Sequence, residues 1–126
     1  HEETIANPVL EYLSKNNKFK LIGKNNIKDK NRAPTISFYS KEISSKEISK
    51  KLVSKKIATR NDNFYAWRCL RDLGIDSNDG VVRISMTHYN SLNETKLLLK
   101  ALRSIWVDWY NRKLFFYPLS KCLIFL

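Results

Sequence analysis

The chain has 126 residues and a formal net charge of +11, from 23 Lys and Arg against 12 Asp and Glu. That length supports one domain with a modest core and excludes two, and 43% hydrophobic residues with only three Gly and three Pro exclude a disordered or collagen-like chain. Two cysteines, Cys69 and Cys122, supply neither a disulfide scaffold nor a thiolate zinc site, so a reducing, cytoplasmic setting is expected. No apolar run reaches the ~18 residues of a membrane span, and the N-terminus lacks a secretory pattern. The first residue is His1 rather than Met, which points to a piece of something longer.

Ile5, Val9, Tyr12 and Leu13 fall at helical spacing. Asn7 as N-cap with Pro8 at the first helical position is the arrangement that costs least, because the N–H of that position has no intrahelical partner. Upstream of Asn7 this leaves a separate turn or no helix. Residues 19–22 read as a short strand ended by Gly23, and 24–31 as an exposed loop. Pro34 fits the first residue of a strand over 35–39, where Ile36 and Phe38 alternate with Thr35, Ser37 and Tyr39.

Ser44-Ser45-Lys46-Glu47 is a capping box with Ile43 and Ile48 as its hydrophobic staple. It opens a helix over 45–54 that is expected to bury Ile48, Leu52 and Val53, with Lys55 and Lys56 suited to the negative end of its dipole. A short strand over 57–60, a turn at Asn61-Asp62-Asn63 and a short helix over 64–73 closed by Gly74 follow. After a loop over 76–80, the strand 81–86 sets Val82, Ile84 and Met86 on one face and Val81, Arg83 and Ser85 on the other. Ser91-Leu92-Asn93-Glu94 is a second capping box, opening a helix with an apolar stripe of Leu97, Leu98, Ala101, Leu102 and Ile105. This order predicts an α+β layer, one small sheet with helices packed on it. The tail 106–126 carries seven aromatic residues without periodicity and reads as a docking segment or an altered terminus rather than a continuation.

The charge excess lies in residues 15–60, which hold 14 basic and 3 acidic residues while the rest of the chain holds 9 of each. Twelve of the 14 cations are Lys, and the aromatics there are Phe19, Phe38 and Tyr39, so the stretch lacks the Arg forks and stacking platforms of a nucleic-acid site. A solvated basic surface is the simpler reading. His1 and His88 stand at no metal-ligand spacing, the scattered Gly23, Gly74 and Gly80 form no phosphate-cradling loop, and Cys69 sits in an amphipathic stretch. Arg83 stands out because a guanidinium on a strand needs an anionic partner. On spacing alone a salt bridge to a neighbouring helix is the commoner way to supply one, and an anionic ligand the other.

Gly80-Val81-Val82-Arg83-Ile84-Ser85-Met86-Thr87-His88-Tyr89-Asn90-Ser91, followed by Glu94, resembles a signature of class V aminotransferases, and more narrowly the cysteine desulfurase-like branch of that pyridoxal-phosphate family. The resemblance extends back through Arg32-Ala33-Pro34-Thr35-Ile36-Ser37-Phe38, Ile57-Ala58-Thr59-Arg60 and Phe64-Tyr65-Ala66, and covers residues 1–105 in register. It implies the C-terminal small domain of a fold-type I enzyme: an α+β unit whose small mixed or antiparallel sheet carries helices and packs on a large domain that binds pyridoxal 5'-phosphate, usually within a homodimer.

The resemblance makes Arg83 the group that grips the α-carboxylate of an amino-acid substrate, a bidentate task for which Arg is suited and Lys is not. Phe64 and Tyr65 are then expected to wall the pocket, and Arg60 and Asn90 complete the substrate-binding set, with Tyr89, Asn90 and Ser91 holding the helix start beside the site. The desulfurases of the family carry a nucleophilic Cys where this chain has Tyr65, and Cys69, four residues on, does not align, so a persulfide route through this loop is not expected. A Gly common near Asp62 is also missing. The Schiff-base Lys and most cofactor contacts belong to the large domain, so the chain alone is expected to be inactive, with no catalytic or metal-binding residue of its own. Transamination, elimination and desulfuration stay open for the parent enzyme. The competing readings are a basic binding module for nucleic acid or an acidic partner, and an inactive truncated relic.

Overall fold

Two strands with strict period-two alternation form the centre of the molecule. The computed structural model describes residues 1–26 and 32–116; residues 27–31 of the expected loop and 117–126 of the tail, Cys122 among them, lie outside the described residues. The elements are α1 (Glu2–Lys15), β1 (Lys20–Ile22), β2 (Thr35–Tyr39), α2 (Ser45–Ser54), β3 (Arg60–Asp62), α3 (Trp67–Asp72), β4 (Val81–Ser85) and α4 (Leu92–Phe116), in the predicted order. The strands make one antiparallel sheet in the order β1-β2-β4-β3. The fold is α+β, as expected.

Alternation decides which face is covered. Ile36 and Phe38 of β2 and Val82 and Ile84 of β4 point to one side, where α1, α2 and α4 bury them with Ile5, Val9, Leu10, Leu13, Ile48, Leu52 and Leu102. Phe19 sits edge-on to Phe38 at 5.3 Å between ring centroids and against Trp106 at 5.6 Å. Each such side chain contributes about 1.5–3 kcal/mol by leaving water. On the other side a smaller cluster of Leu70, Ile75 and Val81 packs α3 against Ile22 and Tyr39, so much of that face stays open.

The first helix corrects the reading of Pro8, which lies inside α1 rather than at its first position. Pro8 removes one intrahelical hydrogen bond, a loss of about 3 kcal/mol in a free helix. Ile5 and Ala6 are fully buried, and the Thr95 hydroxyl donates to the Ile5 carbonyl at 3.2 Å. That burial outweighs the lost bond and holds the turn upstream of Asn7 in the helix.

Both capping boxes start helices. At α4 the box is reciprocal: Ser91 N–H donates to the Glu94 carboxylate at 2.6 Å, and Glu94 N–H donates to the Ser91 hydroxyl at 3.2 Å. At α2 half of it forms, with Glu47 N–H donating to Ser44 Oγ at 3.2 Å while the Glu47 carboxylate turns to Lys51 at 3.5 Å. The Asp79 carboxylate caps the next donor of the helix instead, accepting from Ser45 N–H through both oxygens at 2.9 Å. Val53 and Leu97, expected in the apolar stripes, are 56% and 60% exposed, because each helix packs through a narrower seam that ends on Leu52 and Leu98.

Further corrections concern boundaries. The expected strand at 57–60 forms instead as β3 over Arg60–Asp62, so the turn moves from 61–63 to 63–66 and α3 begins only at Trp67. Residues 106–116 are not aperiodic tail: α4 runs on through them, burying Trp106 and packing Trp109 against the core.

A candidate carboxylate-binding face

Sheet register gathers the open face. Across it, Ile22 of β1 lies opposite Ser37 of β2, Ser37 opposite Arg83 of β4, and Arg83 opposite Arg60 of β3. These positions form one row because successive side chains of a strand alternate sides and paired residues share a side. Arg83 is half-buried at the centre of the row, and Arg60 is exposed at its edge.

The loop after β3 supplies the aromatic floor. Phe64 lies under Arg83, its ring centroid 4.1 Å from the guanidinium carbon. Stacking of this kind orients the planar fork while leaving its N–H edge free to donate. To reach this place the chain puts both Phe64 and Tyr65 in the left-handed region, at φ 51° and 61°. The turn is held by Asn63, whose side-chain oxygen accepts from Tyr65 N–H at 3.0 Å and whose carbonyl accepts from Ala66 N–H at 2.9 Å. Two non-glycine residues in this region cost of order 1–3 kcal/mol each. Nothing local in the chain signals this conformation beyond the Asn61-Asp62-Asn63 run that precedes it.

Gly80 clamps the loop from behind. At φ 71° it packs so close to β3 that an added Cβ would stand 2.3 Å from the Asp62 carbonyl carbon. The turn carrying Gly80 is tied in turn to the start of α2 through Asp79.

The salt bridge to a neighbouring helix that spacing favoured for Arg83 does not form. Among the described residues the ion pairs are Lys15–Glu11, Lys51–Glu47 and Arg71–Asp72, and neither Arg60 nor Arg83 belongs to one. The carboxylates close to them in the chain each accept from a backbone N–H instead. Asp62 accepts from Asn63 N–H at 2.7 Å, Asp76 from Asn78 N–H at 2.9 Å, and Asp79 from Ser45. Arg60 and Arg83 thus stand side by side on the sheet with no ion-pair partner among the described residues, a geometry suited to binding an anion.

The structure thus brings Arg83, Arg60 and Phe64 together. It does not bring Tyr65 or Asn90 to them. Tyr65 follows Phe64 in the chain but is 97% exposed. Asn90 lies beyond the end of β4, where its side-chain oxygen accepts from Thr87 N–H at 2.8 Å. With Tyr89 it lines a separate groove of about 830 Å³ on the helical side of the sheet, floored by Ile84, Met86, Leu98 and Ala101. At the rim of that groove the Glu94 carboxyl is held below the usual carboxylate range by the Ser91 N–H and hydroxyl.

A lysine able to form an imine with a cofactor must be screened from water to lose its proton near neutrality. The described lysines are exposed, apart from Lys51, which pairs with Glu47 on the helical side. Among the described residues no helix is long and apolar enough to cross a membrane.

Comparison with known proteins agrees with this architecture. The family model for aminotransferase class-V matches residues 1–98. The Aminotransferase-like protein FGM3 of Gibberella zeae is 28% identical over 106 residues, covering 83% of this chain and 26% of its own length. The cysteine desulfurase CsdA from Escherichia coli superposes with a TM-score of 0.67 at 19% identity, over 82% of this chain and 24% of that one. The apo cysteine desulfurase from Thermococcus onnurineus NA1 gives a TM-score of 0.67 at 24% identity, with 82% and 24% covered. This chain spans about a quarter of the length of these relatives, and at such identities the solved structures establish the shared fold.

Proposed function

This chain belongs to the aminotransferase class-V family, and we propose that it is the C-terminal small domain of a pyridoxal-phosphate-dependent enzyme acting on an amino acid, in which Arg83 holds the substrate α-carboxylate. The observation that carries this reading is the half-buried Arg83 guanidinium, stacked on Phe64 at 4.1 Å and without a carboxylate partner among the described residues. Arg60 raises the positive potential beside it, and Phe64 forms the wall on the loop side.

A fork fixed at its base by β4 and on its face by Phe64 binds a carboxylate in one plane. Holding the carboxylate leaves rotation about one bond to set which substituent of Cα faces the reactive group, so the contribution of Arg83 is orientation. The cofactor, an electron sink for the bond broken at Cα, is assigned to the larger remainder of the enzyme, since the lysines described here are solvated. The same remainder is the packing partner of the open face, and a homodimer is the expected assembly. Tyr65, standing where desulfurases of the family have cysteine, leaves this loop without a thiol nucleophile.

The test is steady-state kinetics of the intact enzyme that carries this segment. Arg83→Ala raises KM for the amino acid about 100-fold, the equivalent of about 2.7 kcal/mol and of one bidentate charge-assisted contact. Cofactor absorbance stays as in the wild type. An unchanged KM refutes the assignment.

A further inference from the structure

We propose that the substrate is a dicarboxylic α-amino acid, its side-chain carboxylate taken by Arg60 while Arg83 holds the α-carboxylate. The inference rests on the reading of Arg83 above and adds to it the class of side chain. Its starting point is the direct pairing of Arg60 with Arg83 across β3 and β4. Paired residues on one face have their Cβ atoms about 5 Å apart, and like charges so placed destabilise a sheet. An internal acid between the two would relieve the repulsion. The register offers Asp62, one pleat along on the same face, but among the described residues it makes no ion pair with either arginine, and its Oδ1 accepts from Asn63 N–H at 2.7 Å.

One carboxylate fills one fork. With Arg83 committed to the α-carboxylate, a neutral side chain leaves Arg60 unpaired beside a like charge. A second carboxylate one or two carbons from Cα lies within reach of the neighbouring fork and offsets both charges. The position of the two arginines also separates their roles. Arg83 is central, half-buried and braced by Phe64, as suits the group common to every amino acid, whereas Arg60 is exposed at the sheet edge, where side chains differ.

The experiment is a side-chain NMR titration of the 126-residue chain, following the Arg Nε–H signals at fixed low ionic strength. The probes are L-alanine, L-aspartate and L-glutamate. Aspartate or glutamate binds about tenfold more tightly than alanine, the effect of one added charge-assisted contact on a solvated face. Arg60→Gln removes this preference, all three probes then binding alike, and Arg60→Lys retains a part of it. Equal affinity for all three probes overturns the inference. A preference that persists in Arg60→Gln also overturns it. Arg83→Gln abolishes binding of every probe; if alanine still binds, the carboxylate reading of Arg83 itself fails, a result separate from either outcome at Arg60.

Discussion

Gly80→Ala is the sharpest test of how the open face is held together. At φ 71° an alanine costs about 1–2 kcal/mol for its backbone conformation alone. Its Cβ would also stand 2.3 Å from the Asp62 carbonyl carbon, 2.4 Å from the carbonyl oxygen and 2.7 Å from Asn63 N. All three atoms are backbone, so no side chain can rotate away and β3 must shift by about 1 Å to regain van der Waals contact, an overpacking cost of about 1–3 kcal/mol. Together the two effects amount to about 2–5 kcal/mol. Gly74→Ala is the matched control, since Gly74 has φ 70° but nothing within 4 Å of the added Cβ. Urea denaturation of both variants separates the steric part from the conformational part. The Arg83 Nε–H chemical shift, set by the ring current of Phe64, reports whether the loop has moved. Equal destabilisation of the two variants, with an unmoved Arg83 signal, would refute the claim that Gly80 positions the loop.

Three other perturbations test the supports of the fold. Asp79→Ala leaves the Ser45 N–H without its carboxylate and lowers unfolding free energy by about 1–2 kcal/mol, and an unchanged denaturation midpoint tells against the cap. Because the Glu94 carboxyl titrates below its ordinary value in the folded chain, its contribution is complete above the unfolded pKa and disappears as the pH falls through the folded one. Glu94→Gln accordingly flattens the acid limb of a stability-versus-pH curve between those two values and lowers the plateau above them. Trp106 is buried with its indole N–H unpartnered among the described residues. Trp106→Phe should then cost less than about 1.5 kcal/mol, because the lost contact area is partly offset by removal of an unsatisfied donor, whereas Trp106→Ala costs about 3–5 kcal/mol. Guanidinium denaturation distinguishes them, and comparable losses in the two variants would show that the indole N–H is satisfied.

Legibility followed the range of the interactions. Both five-residue strands, the two capping boxes and the element order were readable because alternation, hydroxyl caps and helical spacing are local properties of the chain. Arg83 on the face opposite the core followed from the same alternation, and the motif around it carried the family. What local rules misjudged was settled by burial. Pro8 stays inside α1 because Ile5 and Ala6 are fully buried there, and α4 continues past Ile105 because Trp106 closes over Phe19. The candidate site divides in the same way. Sequence determined that an arginine stands on a strand, on the face opposite the core. Only the tertiary structure decided that β3 lies beside β4, which sets Arg60 opposite Arg83, and that a turn with two left-handed aromatic residues brings Phe64 beneath the guanidinium. Strand order and loop conformation depend on contacts between residues far apart in the chain, and the free energy of such contacts is written in no single stretch of it.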